Sequence, residues 1–191
     1  MGRLFLIRHG ESEGNRDRVF TATPEVPLTE TGRRQAREAA EFLRRYCAPA
    51  LLVSSPFRRA RETAEIIGEV LDLPLAIEDD LRERNYGEYA GRPYDTARPD
   101  FDPAAYWGWR PPGGETLEEV AVRVGRALDR ISMRADHRDA VVVSHGAVMM
   151  ALWRHVMGEW AVPGRVVRNA GILLVEHQGG RYRGATLLER P

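Results

Sequence analysis

Two kinds of hydrophobic pattern alternate along the chain. Short uninterrupted apolar runs occur at 4–7 (LFLI), 51–54 (LLVS) and 140–144 (AVVVS). Runs of this kind, without polar alternation, predict strands buried on both faces, as in a parallel sheet covered by helices. A fourth run, ILLVE at 172–176, predicts a late strand, and GRYRGATLLE at 180–189 an edge strand paired with it across a Gly179–Gly180 turn. Between the runs, apolar residues fall three or four apart. Ala36, Ala39, Ala40 and Leu43 do so in a segment opening at Thr29, and Ala60, Ala64, Ile67 and Leu71 from Arg58 onward. Thr116 reads as the N-cap of a helix carrying Leu117, Val120, Val124, Leu128 and Ile131. The stretch AVMMALWRHVMG, after His145, predicts a largely buried helix ending at Gly158. Strands alternating with helices predict an α/β fold, a three-layer sandwich whose mainly parallel central sheet is flanked by helices. Residues 92–114 break this rhythm with five prolines, three glycines and two tryptophans. They predict a lid or insertion over one end of the sheet, within a single domain spanning 1–191.

Composition narrows the chemistry. With 43% hydrophobic and 29% charged residues, the 191-residue chain reads as a soluble globular protein. Its net charge is zero, which gives no global electrostatic reason to expect nucleic acid or an anionic membrane as a partner. All 28 basic residues are arginine. The absence of lysine excludes Schiff-base and P-loop lysine chemistry, and any anion site is expected to be built from guanidinium forks, which suit phosphate and carboxylate. Cys47 is the only cysteine, so an intramolecular disulfide and a cysteine zinc site are both excluded; it reads as an inert core or helix-end residue. The first apolar run is short for a signal peptide, Leu6 breaks the myristoylation pattern, and no run reaches membrane-spanning length. The expectation is a reduced, cytoplasmic protein.

Ligands of parallel α/β sheets bind at the carboxyl ends of the strands. Arg8 and His9 stand where the first strand would end, and His145 and Gly146 where the run at 140–144 would end. Arg58 and Arg59 follow the run at 51–54, at a helix start, where cationic side chains oppose the helix dipole unless an anion offsets them. Two histidines converging with arginines suit a phosphoryl group better than a metal ion, which the guanidiniums would repel; no metal or other cofactor is expected. A neutral imidazole is a competent nucleophile. The leaving alkoxide needs a proton, and Glu83, in LRERNYGEYAG, is the best-placed carboxyl among many glutamates. His137, His155 and His177 lack the strand-exit setting and read as structural.

With these motifs in view, LIRHGESEGN resembles the signature of the histidine phosphatase superfamily, the branch holding cofactor-dependent phosphoglycerate mutases and related phosphatases. VPLTETGRRQA, SSPFRRARETA, LRERNYGEYAG and VVVSHG follow in the family's order, so the resemblance runs from residue 3 to about 175. It implies a phosphoglycerate mutase-like fold. It also implies that His9 becomes phosphohistidine, Arg8 and Asn15 hold the phosphoryl oxygens, and Arg59 is the second phosphate-binding arginine, with Arg58 flanking. His145, helped by the Gly146 N–H, would stabilise the transferring group, and Glu83 would protonate the leaving oxygen and then activate water. The family contains hydrolases and mutases. ERNYG is similar to the mutase motif, with Arg84 and Tyr86 where mutases hold bisphosphoglycerate, and Thr21 is a further substrate contact in a mutase-like segment. Against this, the mutase lysine is missing, the lid segment YWGWRPPGGET offers only Arg110, and Ala90 replaces a glutamate common in both groups. The reading is therefore a metal-independent phosphomonoester hydrolase acting on a small organic phosphate. The alternatives are a bisphosphoglycerate-dependent mutase and a catalytically silent phosphate-binding regulator. Tyr94, Tyr106, Trp107 and Trp109 either line an aromatic wall for the substrate or form the lid's own core.

Overall fold

The computed structural model describes residues 1–21, 23–97, 107–160, 167–178 and 180–188. Six strands form one sheet: β1 (Gly2–Arg8), β2 (Leu51–Ser54), β3 (Leu75–Ile77), β4 (Ala140–Ser144), β5 (Ile172–Gln178) and β6 (Arg181–Leu188). Their order across the sheet is β3-β2-β4-β1-β5-β6. The strands β3, β2, β4 and β1 are parallel; β5 is antiparallel to β1, and β6 to β5. The sheet is thus mixed, with the predicted parallel part extended by an antiparallel hairpin.

The helices are α1 (Glu13–Arg16), α2 (Glu30–Tyr46), α3 (Arg58–Leu71), α4 (Leu117–Ala135) and α5 (Gly146–Met157). Successive residues of a strand face opposite sides, and the apolar runs use both. Leu4, Leu6, Val142 and Leu173 pack with Val120, Val124, Leu128 and Ile131 of α4 and Val148 and Leu152 of α5. Phe5, Ile7, Val141 and Val143 pack with Leu43 of α2 and Ala60, Ala64 and Ile67 of α3. This is the three-layer sandwich, and it explains why the strands carry no polar alternation. Thr116 caps α4 through its hydroxyl, as the sequence suggested, and Thr29, where the helical pattern opens, caps α2 in the same way. Gly158 closes α5 at φ 76°.

Among the strands and α-helices of the described residues, two elements escaped the sequence reading. The strand β3 is the apolar triplet Leu75-Ala76-Ile77, none of it buried, and it is too short to stand out as a run. The helix α1 spans a single turn built on a Ser12–Asn15 capping box. Cys47 is the C-cap of α2, half-buried, with its thiol against the Leu43 carbonyl; burial pushes the thiol up to about 12. Of the proposed lid, residues 98–106, including Tyr106, lie outside the described residues, as does Gly179.

Candidate active site

The parallel strands β1, β4 and β2 end side by side, and each hands the chain to a loop or helix at one edge of the sheet. The backbone holds these exits together: the His9 N–H donates to the Ser144 carbonyl at 2.9 Å, and the Ser55 N–H to the Val143 carbonyl at 3.0 Å. Beyond His9 the chain passes backbone to backbone over the first turn of α2. A Cβ on Gly10 would run into the carbonyl of Gly32, so only glycine permits this approach.

His9 is 2% exposed. Its Nδ1 lies 2.6 Å from the Gly10 carbonyl. A carbonyl only accepts, so a neutral His9 carries its proton on Nδ1. Nε2 then offers a lone pair, and it accepts from Arg59 Nε at 3.2 Å. Burial, joined by the charges of Arg59 and Arg8, holds His9 well below the ordinary imidazole range. The ring of His145 stands 5.2 Å away, centroid to centroid. Burial lowers it in the same way, with Arg59, His9 and Arg8 adding to the effect. Both histidines are therefore neutral near pH 7.

Arg59 is 1% exposed, and Arg8 donates from Nη1 to the Val167 carbonyl at 3.0 Å while lying against Gly146. Among the described residues, four buried side-chain nitrogens have no hydrogen-bond partner; three of them are Arg8 Nε, Arg59 Nη1 and His145 Nδ1. Buried polar groups left unpaired cost about 1–3 kcal/mol each, so their gathering around one imidazole marks a place built for an acceptor-rich ligand. The helix starts agree. While α1, α2 and α4 have hydroxyl N-caps, α3 begins at Phe57 and α5 at His145 with no side-chain cap bond and no acidic residue in the first turn. At α3 the Arg58 N–H is taken by the Pro24 carbonyl at 2.8 Å, so the start of α5, directly after the β4 exit, is the one that suits an anion. Among the described residues, no group of three or more His, Cys, Asp or Glu is placed to hold a metal.

Glu83 is half-buried, accepts from the Arg84 N–H at 2.9 Å, and its charge reaches Arg59. Its loop is clamped by Arg123 of α4, which donates to the carbonyls of Asp80, Arg82 and Glu83 and pairs with Glu115 at 2.9 Å. Asn15 Oδ1 accepts from the Ser12 N–H and from Asn169 Nδ2 at 2.9 Å, which turns its amide nitrogen toward the Tyr94 hydroxyl. Asn169 also donates to the His9 carbonyl at 3.1 Å. The sequence reading missed Arg123 and Asn169, because each lies outside any strand-exit motif.

The specificity candidates scatter. Thr21 packs its hydroxyl against Gly14 of α1. Tyr86 meets Phe20 at 4.6 Å, in an aromatic group with Tyr89, Tyr94 and Trp109. Arg84 is 2% exposed and donates to the carbonyls of Trp109 and Glu115, so it braces the segment before α4. Trp107 stacks on Trp160 at 4.5 Å, over Leu117, Ala147 and Met150, and forms core there. His155 and His177 bond Asp129 and Ser132, away from His9.

Comparison with known proteins gives a profile of the histidine phosphatase superfamily (branch 1) matching residues 4–188. A Bacillus subtilis protein named uncharacterized phosphatase PhoE is 35% identical over 158 residues, covering 83% of this chain and 79% of its own. The 2,3-bisphosphoglycerate-dependent phosphoglycerate mutase 2 of Gloeobacter violaceus is 36% identical over 164 residues, covering 80% and 74%. Among solved structures, a mycobacterial glucosyl-3-phosphoglycerate phosphatase in complex with VO3 superposes with a TM-score of 0.84 at 28% identity, covering 96% of this chain and 97% of that one. No helix among the described residues is long and apolar enough to cross a membrane.

Proposed function

The chain belongs to the histidine phosphatase superfamily (branch 1), and on that premise we propose that it hydrolyses phosphomonoesters of small organic molecules through a phosphohistidine at His9, without a metal ion. The observation that carries this reading is the trio of unpaired buried nitrogens, Arg8 Nε, Arg59 Nη1 and His145 Nδ1, around the Nε2 lone pair of His9. Phosphoryl transfer is chiefly positioning and stabilisation of charge on the equatorial oxygens, and these donors supply both. The Nε2 lone pair forms the N–P bond as the P–O ester bond breaks. The departing oxygen takes the proton of Glu83. Glu83 then accepts a proton from water, whose oxygen attacks phosphorus, breaks the N–P bond and releases inorganic phosphate. Asn15 adds a donor to the phosphoryl oxygens.

A mutase reading draws on the Gloeobacter relative and the ERNYG motif. It needs Arg84 to hold a second phosphate, whereas the guanidinium is buried on the carbonyls of Trp109 and Glu115. The hydrolase is the better fit. A panel of metabolite phosphomonoesters, assayed in EDTA with wild type and His9→Ala, tests it. We expect phosphate release by the wild type and none by the variant. Near wild-type hydrolysis by His9→Ala would remove the nucleophile assignment, and bisphosphoglycerate-dependent isomerisation of 3-phosphoglycerate would favour the mutase.

A further inference from the structure

Ser55 is the first residue after β2, fully buried, and belongs to none of the roles assigned above. Its Oγ stands 2.7 Å from His145 Nε2. The same oxygen accepts from the Phe57 N–H at 3.3 Å, in the turn that opens α3. A serine hydroxyl has one proton to give. Among the described residues, His145 Nε2 is the one acceptor bonded to that hydroxyl. Donation from Ser55 into Nε2 requires a lone pair there, and a neutral imidazole with a lone pair on Nε2 has its proton on Nδ1. Nδ1 is the buried nitrogen of His145 left without a partner beside the guanidiniums of Arg8 and Arg59.

We propose that Ser55 is a positioning residue that holds His145 in its Nδ1–H tautomer, so that the ring presents a donor to the phosphoryl oxygens. The opposite tautomer would turn a lone pair toward an anion, exchanging attraction for repulsion at a buried site. A free imidazole side chain prefers the proton on Nε2, so the protein has to impose the other form, and Ser55 is the residue placed to do so. The two histidines are then set by opposite devices. A carbonyl acceptor, that of Gly10, puts the proton of His9 on Nδ1 and leaves Nε2 to attack. A hydroxyl donor, that of Ser55, occupies Nε2 of His145 and leaves Nδ1–H to donate. Each ring is fixed by the bond it makes on the side away from the phosphoryl group.

This inference rests on the phosphatase reading for its purpose, but its test does not need turnover. Long-range 15N–1H correlation spectra of the 15N-labelled full chain at neutral pH report which ring nitrogen of each histidine is protonated, and His145→Gln identifies the His145 signals by their loss. We expect a protonated Nδ1 and a bare Nε2 in the wild type. In Ser55→Ala the two nitrogens should move toward each other or exchange character, and Ser55→Thr, which keeps the hydroxyl, should retain the wild-type pattern. In steady-state assays Ser55→Ala should lower kcat by roughly 10- to 100-fold, the usual cost of removing the partner that orients a working histidine. KM should change much less, and Ser55→Thr should recover most of the rate. A wild-type His145 protonated on Nε2, or a Ser55→Ala spectrum identical to wild type, overturns the proposal. If Ser55→Ala fails to fold, the wild-type and Ser55→Thr spectra still decide it. If the wild type has the expected tautomer but hydrolyses no phosphomonoester, the phosphatase reading falls while the tautomer assignment stands.

Discussion

Replacing Arg59 with methionine should abolish catalysis and raise stability. Arg59 is among the largest fully buried side chains, yet Nη1 has no partner and Nε has only the His9 lone pair at 3.2 Å. Burial lowers the affinity of its guanidinium for the proton, offset mainly by the charge of Glu83. The unpaired donor and the desolvation of the buried charge that carries it cost several kcal/mol, against about 1 kcal/mol returned by the bond to His9 and about 1–3 kcal/mol lost when His9 Nε2 is left unpaired. Methionine fills similar space with no donors, so Arg59→Met should gain about 1 kcal/mol net. For a chain of this length that corresponds to a rise in Tm of about 2–4 °C without phosphate. Removing one preorganised donor to a developing oxyanion typically costs 10²–10³-fold in kcat, and two donors leave here, so the rate should fall by about 10³-fold or more. Differential scanning calorimetry beside phosphomonoester hydrolysis measures both. A variant that loses several degrees in Tm, or keeps a tenth of wild-type kcat, would show that Arg59 is an ordinary core residue. Opposed signs are what a site that stores stability as binding potential should give.

The two site histidines, His9 and His145, also set a pH dependence, to which His177, lowered by burial as well, adds. Both have folded affinities for the proton below the unfolded value of about 6.5, so the unfolded chain binds more protons and stability falls as pH drops through that value, by up to about 2.7 kcal/mol per pH unit for two groups. Thermal unfolding between pH 7.5 and 5 should steepen below about 6.5, and His9→Gln/His145→Gln should flatten it; an unchanged slope would mean that neither ring is neutral and buried. In the wild type the acid limb of kcat/KM from a protonated nucleophile should lie below the pH expected for a free histidine. Asn169→Ala should lower kcat by roughly 10-fold or more with the fold intact by circular dichroism, because the Asn15 amide loses the bond that turns its nitrogen outward; wild-type rates would remove Asn169 from the positioning set.

The sequence by itself determined the sheet strands β1, β2, β4, β5 and β6, the four long helices with the Thr116 cap of α4 and the Gly158 end of α5, and the meeting of Arg8, His9, Arg59 and His145. It could do so because parallel strands buried on both faces must be continuous apolar runs, and because chemistry at a strand exit is written in the next one or two residues. Local rules of caps and periodicity did the rest, as with Thr116 before α4 and Gly158 after α5. The tertiary structure alone decided which partners complete the site. Ser55 meets His145 across 90 positions, Asn169 meets Asn15 across 154, and Arg123 holds Glu83 across 40. No periodicity connects such pairs: β2 beside β4 brings Ser55 to His145, β5 beside β1 brings Asn169 to Asn15, and α4 packed against the 80–83 segment brings Arg123 to Glu83. The same holds for Arg84, whose motif suggests substrate while its buried bonds serve the loop before α4. A motif specifies which atoms a residue brings, but the direction in which those atoms point depends on whichever distant carbonyl or hydroxyl satisfies them, and that is fixed only when the layers pack.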